Sequence, residues 1–219
     1  MTTSNRLLFT LLLFPIFSSF SQGSYLGKPW NSTVQQIPGK IQCELFDLGG
    51  EGVAYHDADT VNNGSGHLNK SNGIWLNDFR INEGVDITYT KGGEYDTNPY
   101  NVVKPELDQL YVGWTSPGEW MNYSVNVNKS GVYTIGIMYT SNGGGEIALD
   151  LDGKSLTSNL QIPATSTEKE PLGWRQYHHW NRVDVLTTIK LEKGVHLLKL
   201  KTVTNGKMNY DYLDFKLKN

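Results

Sequence analysis

A single cysteine, Cys43, in a chain of 219 residues excludes a disulfide framework and any multi-cysteine zinc or iron–sulfur site. Basic residues are also in short supply. With 19 Lys and Arg against 22 Asp and Glu, the net charge is −3, which offers no field for a nucleic-acid backbone. Beyond residue 22 no apolar run is long enough to cross a bilayer. There is no Gly-rich phosphate loop, no HExxH and no GxSxG elbow. No stretch keeps a three-to-four-residue apolar period long enough for a core helix. What the chain does have is 23 Gly, 12 Tyr and 6 Trp, the composition of a loop-rich β protein with aromatics to spare.

The first residues read as a targeting segment. Arg6 closes a short positive region, Leu7 to Phe20 is apolar, and Ser19-Phe20-Ser21 supplies a small–x–small pattern. These features predict a signal peptide over 1–21, cleavage before Gln22, and secretion to an extracellular or periplasmic space. Residues 22–40 are punctuated by Pro, Gly and Ser and are expected to form a leader packed loosely along a module of residues 41–219. Cys43 is expected as a buried free thiol in a strand, with no His or acid arranged around it for catalysis.

The second half of the chain is dense with strand signals. Met121, Tyr123, Val125 and Val127 alternate with Asn122, Ser124 and Asn126, the period of a strand buried on one face. Tyr133, Ile135, Ile137 and Tyr139 repeat it. Glu146 to Leu151 runs into Asp152-Gly153, a type I′ hairpin signal, while Lys193-Gly194 and Asn205-Gly206 mark two further turns. The expected fold is all-β, a single-domain antiparallel β-sandwich.

The candidate chemistry lies in aromatics at turn edges. Trp114, Trp120, Trp174 and Trp180 follow Gly or stand beside polar residues, outside apolar runs. Sugar rings carry an apolar C–H face on which an indole stacks, while Asn, Asp or Glu bind the hydroxyls. A core position is the default for any one Trp, but Gly before both Trp114 and Trp174 favours a binding platform for the set. His178-His179 is the one adjacent His pair, and a strand would send its two rings to opposite faces, against a shared metal.

Several segments, in order, resemble the family 6 carbohydrate-binding modules. Ile41-Gln42-Cys43-Glu44 is followed by Gly49 to Asp57 (GGEGVAYHD), Phe79-Arg80, Glu83 to Ile87 (EGVDI), Val112 to Trp120 (VGWTSPGEW), Gly173-Trp174, Gly194-Val195-His196 and Asn209 to Leu213 (NYDYL). The resemblance implies a β-jelly-roll that binds a glycan without cleaving it. Its implied cleft lies in the loops at one end, with Trp114 and Trp174 clamping a sugar, Asn209 bonding it and Glu51 touching hydroxyls. A second site on one sheet face would use Trp120 and Asp150. A structural calcium is implied at Gln42, Glu44 and Asp211, with a backbone carbonyl near Arg80. The protein is expected to be a monomer that cooperates with separate glycoside hydrolases, with no nucleic-acid partner and no membrane span.

The chain departs from the family in its long segments Thr88 to Leu110 and Asn62 to Asn77, which are expected to reshape the cleft, with Tyr95, Tyr100 and Tyr111 as extra contacts. Two other readings stay open. One is a jelly-roll polysaccharide lyase or glycosidase, for which Arg175, Gln176, Tyr177 and His178 are the nearest approach to a catalytic set, though a strand would split them between faces. The other is a calcium-stabilised adhesion domain with a flat apolar patch.

Overall fold

The computed structural model describes residues 25–64 and 79–218. The expected signal peptide and all but the start of the polar run Asn62 to Asn77 lie outside the described residues.

Two sheets pack face to face. The strands are β1 (Gln35–Ile37), β2 (Gly39–Gln42), β3 (Tyr55–His56), β4 (Ile87–Tyr89), β5 (Leu110–Val112), β6 (Trp120–Val127) and β7 (Gly131–Ser141). They continue as β8 (Gly145–Leu151), β9 (Lys154–Ser155), β10 (Leu160–Ile162), β11 (Asn181–Leu191), β12 (Gly194–Thr204) and β13 (Met208–Leu217). One sheet runs β1-β6-β12-β8-β10, with β3 also on β6 and β9 on β8. The other runs β11-β7-β13-β5-β4, with β2 also on β13.

The alternation read from the sequence is the cause of this layering. Tyr123, Val125 and Val127 of β6 and Tyr133, Ile135, Ile137 and Tyr139 of β7 are all fully buried between the sheets. Leu198 and Leu200 of β12 meet them from the next strand, opposite Tyr123 and Met121. Asp152 (φ 51°) and Gly153 (φ 75°) both turn left-handed between β8 and β9, as a type I′ turn requires. β13 breaks the period. Tyr210 pairs with Tyr139 but Tyr212 pairs with Met138, so Asp211 is an extra, bulged residue. Tyr210 and Leu213 can then both enter the core while Asp211 is turned into a buried position of its own.

Cys43 is a buried free thiol as expected, but it opens a 3-10 turn over Cys43–Leu45 and is not in a strand. Two larger expectations also need correction. The leader is not loosely packed: β1 pairs in parallel with β6 over Gln35↔Val125 to Ile37↔Val127, Lys28 bridges Leu48, and the Tyr25 hydroxyl donates to Asp47 at 3.0 Å. Ile37, buried with no exposure, makes this segment part of the core, so a boundary at residue 40 falls inside the sandwich. The other correction concerns Arg175 to His178. They are not on a strand but on and just after a 3-10 turn over Gly173–Tyr177, where Gly173 and a short polar run give no two-residue period to sustain a strand.

Candidate functional site

Three loops meet at one end of the sandwich. The first follows β5. Trp114 sits there with φ at 50°, a left-handed conformation that is uncommon for a bulky residue and costs on the order of 1–3 kcal/mol. The neighbouring residue holds it in place. Thr115 Oγ1 donates to the Met208 carbonyl at 2.9 Å and accepts the Met208 N–H at 3.1 Å, and the Thr115 carbonyl accepts the Lys207 N–H at 2.6 Å. A side chain on Gly206 would stand 2.2 Å from that carbonyl, which accounts for glycine at the turn. The indole of Trp114 projects outward, 51% exposed.

The second loop is the turn over Gly173–Tyr177, with Trp174 43% exposed. An ionic knot beneath it fixes its shape. The buried Glu170 carboxylate accepts from Arg175 Nη2 at 2.9 Å, His179 Nε2 at 3.1 Å and the Leu172 N–H at 2.9 Å. The Arg175 hydrogen bonds come first among the effects that hold Glu170 down to about 2. Tyr100 packs on His179 at 4.9 Å between ring centroids, and its hydroxyl donates to the Lys169 carbonyl.

The third loop joins β4 to β5. Asp96, fully buried, accepts Trp180 Nε1–H at 2.7 Å and the Lys91 N–H at 2.7 Å, and lies 2.9 Å from His178 Nδ1. Tyr95 from the same loop leans on Trp174, with centroids 4.9 Å apart, and on His178 at 6.1 Å. The long segment therefore braces one indole of the expected clamp.

Between these loops lies a cleft of about 450 Å³. Trp114 and Trp174 line it, with Asn209, Tyr111, Tyr177, His178 and Lys207, as do Thr115 and Ser116. Asn209 is fixed by its amide: Nδ2 donates to Thr140 Oγ1 at 2.8 Å and to the Tyr177 carbonyl at 2.8 Å. Both amide hydrogens are thus used and Oδ1 is left as an acceptor. Oδ1 lies 3.0 Å from where a Cβ on Gly113 would stand, so a bare backbone at 113 leaves that oxygen its room. The sequence pointed to the indoles and the asparagine through their Gly and turn neighbours. It passed over Lys207, legible only as part of an Asn-Gly turn, and Asp96, whose partners lie 82 and 84 residues away.

The other expected residues lie elsewhere. Glu51 is outside the cleft lining and lies 2.5 Å from His56 Nδ1. His56 is itself 6.4 Å from the Trp120 ring. Trp120 and Asp150 do share the outer face of the larger sheet, by the register Trp120↔Lys201 and Lys199↔Asp150. Each carries a lysine: Lys199 Nζ lies 3.8 Å over the Trp120 ring and Lys201 Nζ is 2.7 Å from Asp150. Of the four residues that approach a lyase set, Tyr177 and His178 line the cleft. Arg175 is held by Glu170, and Gln176 binds the Thr167 backbone.

Gln42, Glu44 and Asp211 come together where β2 lies against β13, with Gln42 opposite Tyr212. Gln42 Oε1, Glu44 Oε2 and Asp211 Oδ2 are buried without a hydrogen-bond partner among the described residues. Burial, above all, pushes Glu44 up to about 8 and Asp211 up to about 7. Three orphaned oxygens, two of them carboxylate, fit a hard divalent cation. Among the described residues no cluster of three or more His, Cys, Asp or Glu stands together, and the third oxygen here is the amide oxygen of Gln42. Arg80 enters by its guanidinium, which donates to the Asp47 carbonyl at 2.8 Å and lies over the Phe46 ring, while its own carbonyl accepts the Glu83 N–H.

No curated protein sequence matches the chain. Among solved structures it is similar to a β-1,3-glucan-binding family 6 module from Bacillus halodurans, at 16% identity over 84% of this chain and 99% of that one, TM-score 0.46. It is also similar to a module of Cellvibrio mixtus lichenase 5A in complex with cellotriose, at 22% identity over 62% of this chain and 88% of that one, TM-score 0.43. A third is the C-terminal family 6 module of a marine laminarinase from Zobellia galactanivorans, at 23% identity over 51% and 82%, TM-score 0.41. In sequence, residues 86–219 match the profile of the carbohydrate binding module (family 6), more than half of the chain and including the Gly113-Trp114, Gly173-Trp174 and Asn209 segments. The chain belongs to the family 6 carbohydrate-binding modules.

Proposed function

We propose that the protein is a secreted module that binds a glycan in the cleft between Trp114 and Trp174 and does not cleave it. The observation that carries this reading is the pair of half-exposed indoles on two separately braced loops, with the fixed Oδ1 of Asn209 between them. Apolar rings left this open to water cost free energy in the unliganded protein, and the C–H face of a sugar covers them. Asn209 Oδ1 accepts a hydroxyl hydrogen at a position already set, so little ordering remains at the moment of binding.

The same geometry supports a reading without glycoside hydrolysis. Among the described residues the titratable groups at the cleft wall are Tyr111, Tyr177, His178 and Lys207, without the pair of carboxylates that glycoside hydrolysis ordinarily uses. A calcium ion held by Gln42, Glu44 and Asp211 would join β2 to β13 and take no part in glycan contact.

The test is a glycan array followed by titration, with product release measured in parallel by reducing-sugar and unsaturated-product assays. Binding without product, lost in Trp114→Ala and Trp174→Ala, is expected. Turnover, or binding unaffected by both substitutions, overturns the reading.

A further inference from the structure

Among the described residues that line the cleft, Lys207 is the one side chain that carries a full charge at neutral pH. Its ammonium group is positive, and no described Asp or Glu lines the space. The nearest acids are already committed behind the wall: Asp96 to Trp180 and His178, Glu170 to Arg175 and His179.

Several lysines of this chain have no acid or ring partner, and among the described residues Lys207 is the one of them that lines the cleft. Lys40, Lys91 and Lys199 lie over aromatic rings, and Arg80, Arg175, Arg182, Lys201 and Lys216 pair with carboxylates. Lys207 has no ring or carboxylate partner among the described residues. Its backbone is nevertheless pinned, with φ at 56° and its N–H on the Thr115 carbonyl, beside the loop that carries Trp114. The backbone that carries this positive charge is thus anchored at the cleft, in a chain whose net charge is −3. A neutral sugar offers it only hydroxyls, which water replaces at little loss. An anionic group adds to the hydrogen bond the Coulomb attraction of an ion pair.

We propose that the glycan taken by this cleft carries an anionic sugar, its carboxylate or sulfate ester seated against Lys207 while the indoles cover the rings. The proposal rests on the reading that the cleft is the glycan site, and the test separates the two.

The secreted chain is titrated with polygalacturonate, alginate, ι-carrageenan, laminarin and polygalacturonate whose carboxyls have been reduced to alcohols. The first two report a carboxylate and the third a sulfate, while the reduced polymer keeps the backbone without the charge. Binding to at least one anionic polymer is expected, about tenfold or more tighter than to the neutral ones. It should weaken as NaCl rises from about 20 to 300 mM, as screening of a surface charge requires. Lys207→Gln should lose about tenfold, Lys207→Arg should retain most of the affinity, and Lys190→Gln, a charge removed from β11 at a distance, should change nothing. Melting temperatures of all variants control for folding. Failure to bind any anionic polymer, equal or tighter binding of the neutral ones, or an unchanged Lys207→Gln overturns the proposal. Unchanged binding in Trp114→Ala and Trp174→Ala overturns the cleft reading instead.

Discussion

His178 Nδ1 lies 2.9 Å from Asp96 Oδ1, across 82 residues of sequence, and this contact ties the long β4–β5 loop to the wall of the cleft. Trp180 Nε1 donates to the same oxygen at 2.7 Å. Asp96→Ala leaves the indole N–H of a fully buried Trp without an acceptor and frees the ring of His178. A buried donor left unmet costs roughly 1–3 kcal/mol, and for a chain of this size that is a fall of about 5 °C in melting temperature. Glycan affinity should fall too, because Tyr95 and its brace on Trp174 move with the loop. Thermal melts and titration of the same variant check both. A melt equal to wild type would remove Asp96 from its place as an anchor.

Trp114→Ala and Trp174→Ala should each lose roughly 1–3 kcal/mol of binding with the fold intact, since both rings are about half exposed and little packing is given up. Trp114 allows a sharper check. Its φ of 50° suits glycine, so Trp114→Gly should melt no lower than Trp114→Ala despite the entropy glycine loses on folding. A clearly lower melt for the glycine variant would mean that the backbone relaxes once the indole is gone.

Gly113→Ala should weaken binding while lowering stability only modestly. The new methyl would lie 3.0 Å from Asn209 Oδ1 and 3.3 Å from the Tyr111 ring, so the amide oxygen must shift by a few tenths of an ångström. Titration against wild type reads the effect, and an unchanged affinity would mean that Asn209 Oδ1 accepts nothing from the ligand.

How much of this was legible in the sequence depends on the distance over which each residue acts. The alternation in β6 and β7, the Asp152-Gly153 turn and the Gly–Trp pairs are local signals, and the structure repeats them. β1 was missed because three residues between a Pro/Gly-rich stretch and a proline are too short to show a period, and their partner on β6 lies 90 residues away. Asp211 was named through the family resemblance as a calcium ligand, but its burial was not visible. The bulge that gives it a buried position is a mismatch with β7, and β7 alone does not show it.

Stability should also report the acids around Glu119. Its carboxylate accepts the Ser116 N–H at 2.7 Å and the Ala58 N–H at 3.2 Å, yet burial, with the charges of Asp57 and Asp86, pushes it up to about 7. Asp57 and Asp86, raised chiefly by burial, stand at about 6. The unfolded chain releases these protons near pH 4, so it binds fewer of them than the folded chain from about pH 4 to 7. The share of stability that these three groups contribute must therefore fall as pH rises through that window and level off above it. Denaturant midpoints from about pH 5 to 8 should slope downward for wild type and less so for Glu119→Gln. A variant as steep as wild type would place the slope on other groups.

Calcium should act on the melt and leave the choice of sugar alone. A cation that binds the folded chain at a hundredfold excess over its Kd adds about 2.7 kcal/mol, a shift of roughly 5–10 °C. Chelation should reverse it, and Glu44→Ala should abolish the response. Protein shown to be metal-free whose melt ignores calcium would make the three orphaned oxygens a feature of the β2–β13 contact alone.

β1 and β3 lie end to end along the same side of β6, opposite Val125–Val127 and Trp120–Met121 respectively. Each is too short to be a sheet edge of consequence, but together they shield the flank of an eight-residue strand. Recombinant versions trimmed to residue 41 would uncover Val125 to Val127 as a row of unmet amides on an apolar strand, an open template for a second chain. Such trimmed protein should self-associate along that seam, whereas protein beginning at residue 22 should not.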